Sequence, residues 1–405
     1  MGKGKAVVAT NDSSTRSKAS MVKQGYFADP FIRRLAPKET RRSPLIHWIY
    51  FLRVWSVDFV VQTFLDHFKS QSEIQIVSLG AGFDTLACRL FQNGSLKPRL
   101  LFLEIDFPEV ADIKANSLNQ VLEEGESFRF QKTDYGYRSQ ECAYLIVGAD
   151  LRNWPSVESL LLAQLDTRVP TLFLSEIVLN YLNPPHADGV IRGIAPLFED
   201  SLFCLHEPIL PQDPFGQFMC DHFRSIGSPL NSISHYPDLE EQKRRLLNLG
   251  WTDAIALSMC EVFANLLPLA ERHRISQLEP FDEYELLRLT LRHYTLSLGS
   301  KGPAMGDCLQ KFSTPTSQCH SPDLVPSPCT DSADAALLPV ENDHRRYGHR
   351  ISCLSSSDDR GKSFLISTGG IESRSSTLST VVDVFLVDRH DMHDLSSTSL
   401  TPITS

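Results

Sequence analysis

The sequence predicts an α/β protein with a Rossmann-like fold: a parallel-type sheet carrying helices on both faces. Three observations predict it. Strand-like apolar runs alternate with amphipathic helix-like stretches, the first run breaks into a glycine turn, and acids recur where the runs end. In an open sheet of this kind, those ends line the crevice in which ligands bind.

The elements follow in order. Residues 44–68, PLIHWIYFLRVWSVDFVVQTFLDHF, space apolar side chains for one long helix. IQIVSL (74–79) is a buried strand, followed by the turn GAG and a helix through DTLACRLF. RLLFLEID (99–106) is a second strand, stopped by Pro108, which cannot continue a ladder. AYLIVGADL (143–151) is a third strand, PTLFLSEIVLNYL (170–182) starts as a fourth, and SLFCLHEPI (201–209) is a fifth. PSVESLLLAQL and HADGVIRGIAPLF supply amphipathic helices between them. The acids at the strand ends are Asp84, Asp106, Asp150, Glu176 and Glu207. After about residue 300 the composition turns to Ser, Pro, Thr and Asp, so 301–343 reads as a disordered linker. Within 344–405, RRYGHRISCL, SFLISTGGI and STVVDVFLVD read as short strands, and the polar end HDLSSTSLTPITS as loose chain.

Composition bounds the function. At 405 residues, 42% hydrophobic and 22% charged, the chain is ordinary for a soluble globular protein of two or three domains. No eighteen-residue apolar run suggests a membrane span, and the first residues lack a signal peptide's apolar core. A transit peptide is an alternative reading of the basic, Ser-rich start. Myristoylation at Gly2 is disfavoured, because Ala6 stands where Ser or Thr is expected. Nine scattered cysteines without a CxxC pair read as reduced thiols in a cytoplasmic protein, with no metal site. The net charge of −10 argues against a general nucleic-acid coat. Residues 1–53, however, hold eleven Lys or Arg against three acids, a net +8 that suits an anionic partner or a solvated basic arm.

The glycine turn narrows the ligand. Gly80 and Gly82 let a ligand approach the backbone, and the helix that follows offers its N-terminal N–H groups. Glu104 and Asp106 both stand at the distance where a carboxylate accepts hydrogen bonds from ribose hydroxyls. A dinucleotide loop has a third glycine, and here Thr85 stands instead. S-adenosyl-L-methionine has ribose and adenine but no phosphates, so a methyl donor fits this loop better than NAD. Asp150 with Leu151 suits an adenine amine and ring, although by itself Asp150 reads first as the N-cap of the next helix. Glu176 interrupts an apolar run and reads as a cleft residue, since burying its charge would be costly.

Several blocks carry a family resemblance. SLGAGFDT, EIDFPEV, VGADLRNW and LFLSEIVLNYL occur in the order seen in the leucine carboxyl methyltransferases, as do SKASMVKQGYFADPFI, PLIHWIYFLRVWSV, DPFGQFMCDHF and EPFDEYELLRLTLRHY. The likeness covers about residues 7–300. TNDSSTRSKAS and RRSPLIH resemble the family's tRNA wybutosine-synthesizing branch, and RRYGH…FLISTGG resembles the opening of the Kelch-type propeller that follows in that branch. The resemblance therefore implies a methyltransferase domain over 1–300, the linker 301–343, and an incomplete Kelch-like β segment over 344–405, enough chain for about one blade.

The same resemblance implies roles. Lys18 and Arg53 match residues at the carboxylate end of S-adenosyl-L-methionine, with Arg53 the side chain to orient a substrate carboxylate. Gly80 is the turn at the cofactor, Asp106 rather than Glu104 the ribose acid, Asp150 and Leu151 the adenine pair, and Glu176 the acid facing the methionine part. It also removes the transit-peptide reading, because Lys18 must stay in the mature chain. The implied substrate is the amino-carboxypropyl carboxylate of the modified guanosine at position 37 of phenylalanine tRNA. It is methylated, and the neighbouring amine is then methoxycarbonylated, with the basic N-terminal segment meeting the tRNA. The rival substrate is the C-terminal leucine of a phosphatase catalytic subunit. A non-catalytic Kelch-type interaction protein is a third reading.

Overall fold

The computed structural model describes residues 3–36, 40–92, 99–121 and 128–312, and strand segments between 346 and 402. The chain divides into two units, Met1–Val325 and Pro326–Ser405. The first opens with helices α1 (Lys3–Lys23), α2 (Ile32–Leu35) and α3 (Pro44–His67). Alternation then begins with β1 (Glu73–Leu79), α4 (Leu86–Gln92), β2 (Arg99–Asp106) and α5 (Pro108–Val121). A hairpin of β3 (Phe130–Thr133) and β4 (Gly136–Ser139) precedes β5 (Tyr144–Gly148), α6 (Trp154–Gln164) and β6 (Thr171–Glu176). A 3₁₀ turn, Leu179–Tyr181, leads into α7 (Pro184–Ile194), β7 (Ser201–Pro208), α8 (Pro214–Ser225) and α9 (Leu239–Asn248). The unit finishes with β8 (Asp253–Ser258), α10 (Met259–Glu261), α11 (Leu269–Ser276), α12 (Tyr284–Arg292), β9 (Tyr294–Lys301) and α13 (Gly306–Gln310).

These strands form one nine-stranded sheet in the order β3-β4-β5-β2-β1-β6-β7-β9-β8. Strands β5, β2, β1, β6 and β7 are parallel. Both flanks are antiparallel, so the sheet is mixed where the alternation predicted a parallel one. Strand β9 enters from α12 and runs back between β7 and β8, an order of pairing that alternation alone does not reveal.

Two cores cover the two faces because side chains alternate along each strand. Ile74, Ile76, Phe102 and Leu174 pack with α3, α4 and α5 on one face. Val77, Leu79, Leu103 and Phe173 pack with α6 and α7 on the other. Helices therefore leave β1 and β6 toward opposite faces, which makes the gap between those two strands the switch point of the sheet. By length and composition α3 could cross a bilayer. Here eleven of its residues are buried, among them Phe51, Val60 and Phe64. Its apolar character all round reflects burial on several sides.

The first unit passes the boundary expected at residue 300. Strand β9 runs to Lys301, and Met305, Cys308, Leu309 and Phe312 lie in the core. The rest of the expected linker, 313–343, lies outside the described residues. In the second unit, Arg346–Tyr347, Arg350–Leu354, Lys362–Glu372, Leu378–Asp388 and Thr401–Pro402 form an antiparallel sheet. Its long pair, Lys362–Glu372 with Leu378–Asp388, shifts register between Thr368 and Gly370, at the Gly-Gly step. The rest of the polar end, expected to be loose, lies outside the described residues.

Candidate active site

A cavity of about 850 Å³ opens at the switch point, along the C-terminal ends of the parallel strands. All seven residues singled out from sequence line it: Lys18, Arg53, Gly80, Asp106, Asp150, Leu151 and Glu176. They come from α1, α3 and the ends of β1, β2, β5 and β6, so only the fold unites them.

The glycine turn forms the floor. Gly80 and Gly82 have φ of +64° and +53°, a region that favours glycine. Gly80 donates its N–H to Ile105 O at 2.7 Å, and a Cβ there would lie 2.6 Å from the Val178 methyls. A Cβ on Gly82 would come within 2.5 Å of Asn11 Oδ1, which accepts the Phe83 N–H at 3.0 Å. At the position of the missing third glycine, the Thr85 hydroxyl donates to Asp29 Oδ2 at 2.5 Å. Thr85 thus ties the turn to the chain following α1.

The two candidate ribose acids separate cleanly. Asp106 ends β2 in the cavity, with its oxygens accepting the Gly82 and Phe107 N–H groups at 2.7 Å each. Burial raises its pKa against the lowering effect of those two bonds. Glu104 lies two residues inside the strand, 2% exposed, paired with Lys114 Nζ at 2.5 Å under α5. Burial pushes its carboxyl up to about 7. Asp150 is not a helix cap, because Asn153 occupies the cap position of α6. Arg152 instead grips Asp150 through Nε, 2.9 Å from Oδ1, and Nη2, 2.5 Å from Oδ2. Those bonds hold the Asp150 carboxyl below its usual range.

At the centre, four charged side chains interlock. Lys18 Nζ bonds Asp84 and stands 3.8 Å from Glu176 Oε2. Arg53 Nε donates to Glu176 Oε2 at 2.9 Å, and Nη2 reaches Glu176 O at 3.4 Å. Burial would lower the Lys18 pKa, but Asp84 and Glu176 outweigh it and raise it. For Arg53, Glu176 outweighs burial in the same way. These are cations fixed by acids inside a cleft, not surface charges.

Sequence reasoning missed the far end of the cavity. There Tyr50, Tyr181, His206, His222, Phe223 and Tyr294 supply rings. His206 stacks on Tyr294 with centroids 5.6 Å apart and planes at 13°, and Tyr181 meets Phe223 at 6.1 Å. His206 is 3% exposed, and burial with the nearby Arg53 charge keeps it neutral by lowering its pKa well below the usual value. A histidine inside the apolar run SLFCLHEPI was the available signal. The rings on α8 and β9 left none, since no periodicity marks which way they face. Of the five strand-end acids, Asp84, Asp106, Asp150 and Glu176 line the cavity. Glu207 does not: it is fully buried beside the 3₁₀ turn.

Residues 6–195 match the model of the family described as leucine carboxyl methyltransferase. Among curated proteins, the chain is 38% identical over 369 residues to tRNA wybutosine-synthesizing protein 4 of Homo sapiens, covering 86% of this chain and 52% of that protein. It is 35% identical to leucine carboxyl methyltransferase 1 of Bos taurus, covering 73% of this chain and 90% of that protein. Against the Arabidopsis thaliana homolog of the latter it is 34% identical, covering 72% and 88%. The chain thus spans about half the length of the wybutosine-synthesizing relative. Among solved structures, magnesium protoporphyrin IX methyltransferase from Synechocystis, with S-adenosylhomocysteine bound, is similar over 69% of this chain at 14% identity and a TM-score of 0.36. With this cavity at the switch point, and with relatives matched over nearly their whole length, the chain belongs to the leucine carboxyl methyltransferase family, whose cofactor is S-adenosyl-L-methionine.

Proposed function

We propose that the chain methylates the carboxylate of the amino-carboxypropyl side chain on the modified guanosine at position 37 of phenylalanine tRNA. The observation that carries this choice is the ring-lined far end of the cavity. Tyr181, Phe223 and Tyr294, each partly exposed there, offer ring surface on which a planar base stacks, worth about 1–3 kcal/mol per base, with His206 buried behind Tyr294. The wybutosine-synthesizing relative supports the same choice.

The sheet order sets the order of contacts. From β5 through β2 and β1 to β6 the strand ends present Asp150, Asp106, Gly80 and Glu176, a run of about 14 Å at the usual strand spacing. Asp150 and Leu151 suit an adenine amine and ring, and Asp106 suits a ribose. Lys18 and Arg53 suit a carboxylate, Glu176 an ammonium group. The donor set fits S-adenosyl-L-methionine from end to end. When bound, this cofactor supplies an electrophilic methyl group on a sulfonium. Next along the sheet come β7 and β9, with His206 and Tyr294, where the acceptor belongs.

The residues then have one task, which is alignment. A carboxylate is ionised at neutral pH and needs no general base. Arg53, at the join between the two halves, orients it by charge and by a forked hydrogen bond. Glu176 fixes that guanidinium in place. His206, held neutral, adds no competing charge to the site. The test supplies labelled methyl donor with two acceptors, precursor tRNA and a phosphatase catalytic subunit. Label is expected in the tRNA, with mass spectrometry separating one added methyl from a further methoxycarbonyl group. Label only in the phosphatase would reject this reading, and label in neither would favour a non-catalytic protein.

A further inference from the structure

Glu207 ends β7 as one of the five strand-end acids, yet it does not reach the cavity. We propose that it is a positioning residue, which holds the turn after β6 in the shape that joins the cofactor half of the site to the acceptor half. Its kinetic consequences rest on the methyl-transfer reading above.

The turn is the busiest stretch of the cavity wall. Glu176, Ile177, Val178, Tyr181 and Leu182 all line it. Ile177 has φ of +56°, an outlier for a β-branched residue, so the turn needs an external restraint to keep its form. Glu207 supplies that restraint from beneath. It is fully buried, and its Oε1 accepts the Leu179 N–H at 3.0 Å. Oε2 accepts from Asn180 Nδ2 at 2.6 Å, and the same amide reaches Pro208 O at 3.3 Å. The turn in turn anchors the segment after α8. Asn180 O accepts the N–H groups of Asn231 and Ser232 at 2.7 and 3.2 Å, and Asn231 Nδ2 donates to Tyr181 O at 2.7 Å.

The carboxylate therefore sits where three cavity walls are tied together. Val178 reaches the glycine turn, Glu176 holds Arg53, and Tyr181 meets Phe223 of α8. A neutral apolar residue could fill the space but could not accept both donors. Hydrogen bonds to an ionised acceptor are also roughly twice as strong as neutral ones. Arg245, buried on α9 and paired through Nε with Asp188 of α7 at 3.0 Å, lies within electrostatic reach of Glu207 and favours its charged form. Tyr181, on the turn itself, is a further titratable neighbour, whose pKa is raised mainly by burial, with Glu207 adding to the rise.

The sign of the pH effect follows. Burial lifts the Glu207 carboxyl from the usual 4.5 to about 7, so below neutrality it is protonated and its hold on the two donors weakens. Turnover by the native chain is expected to fall as pH drops through about 7.

The test compares Glu207→Gln with the native chain in three ways. Hydrogen exchange of the 178–182 amides is expected to speed at least tenfold in the variant. On the acceptor that the native chain methylates, kcat is expected to fall at least tenfold, with KM for that acceptor and Kd for S-adenosylmethionine changing less than threefold. The step in kcat near pH 7 is expected to disappear, and Glu207→Asp is expected to restore part of it. Native exchange rates with a native pH profile would overturn the proposal. If Glu207→Gln does not fold, Asn180→Ala cuts the same tether from its other end, and native exchange in that variant would overturn it equally. A native chain active on neither acceptor would defeat the acceptor reading alone, because the exchange measurement still judges Glu207.

Discussion

Two carboxylates on one strand, two residues apart, do different work, and burial decides which does which. Asp106 stands at the cavity with two backbone amides on its oxygens, whereas Glu104 is sealed under α5 with Lys114. Their isosteric variants should therefore differ in affinity. Asp106→Asn is expected to weaken S-adenosylmethionine binding by about tenfold or more, the worth of a charged hydrogen bond at about 1.5–3 kcal/mol, and to lower stability by about 1–3 kcal/mol, because its NH2 would face the Gly82 or Phe107 N–H. Glu104→Gln is expected to leave affinity near native and to cost about 3–5 kcal/mol, since it strands a buried lysine. Titration calorimetry and urea unfolding read the two effects, and loss of affinity in Glu104→Gln instead would reverse the assignment. From sequence these acids could not be told apart, because spacing alone allowed both; family resemblance chose Asp106, and of the two it is Asp106 that lines the cavity.

At the scale of elements, the parallel centre of the sheet was legible because its strands are apolar runs bounded by turns, and β2 matches its expected span of 99–106. The antiparallel flanks were not. Strands β3 and β4 are four residues each: β3 is exposed beyond Phe130, and β4 has Tyr137 as its only apolar side chain, so neither carries a strand's apolar signature. Strand β9, TLSLGS with Tyr294 before it, alternates acceptably, but only tertiary pairing places it between β7 and β8. Of the cluster of Lys18, Arg53 and Glu176, Glu176 was legible as an acid interrupting an apolar run, whereas Lys18 and Arg53, on α1 and α3, were legible only through resemblance. The glycine turn was legible from both sources, and it allows a graded test. Gly80→Ala is expected to cost more stability than Gly82→Ala. Both pay about 1–2 kcal/mol for a left-handed backbone. Only Gly80→Ala also drives a Cβ into the stiff methyls of Val178, whereas Asn11 can swing away. Equal unfolding midpoints for the two variants would refute this account of the turn.

For the whole molecule, charge and fold must be read together. The net +8 of residues 1–53 is not one free basic face. Lys18 and Arg53 are fixed in the site, Arg41 bonds Glu279 at 2.8 Å, and Arg16 stands 3.9 Å from Asp12. The proposed tRNA contact therefore rests on fewer charges than the count suggests. Charge reversal of Arg33, Arg34, Arg41 and Arg42 is expected to weaken tRNA binding and to flatten its dependence on salt, by about 0.9 in logarithmic slope for every phosphate no longer neutralised. Filter binding across salt concentrations measures this, with circular dichroism checking that removal of the Arg41 bond leaves the fold intact. An unchanged slope would remove the N-terminal segment from the interface.

One consequence concerns the order in which the chain is made. Strand β9, residues 294–301, is the wedge between β7 and β8, so until it is synthesised β7 keeps a bare edge and β8 has no partner in the sheet. The start of the chain waits as well. His47 bonds Glu279 at 2.6 Å, and Arg274 donates to Gly25 O and Tyr26 O at 2.8 and 2.6 Å. At about 5–20 residues per second, Gly25, Tyr26 and His47 spend roughly 12–50 s after emerging without Arg274 and Glu279. An exposed strand edge over that interval is an opening for wrong pairing. Folding of this unit is therefore a late event that closes from both ends of the sequence at once, and variants near residues 274–301 should show their harm first as lost yield of soluble chain rather than as slowed chemistry.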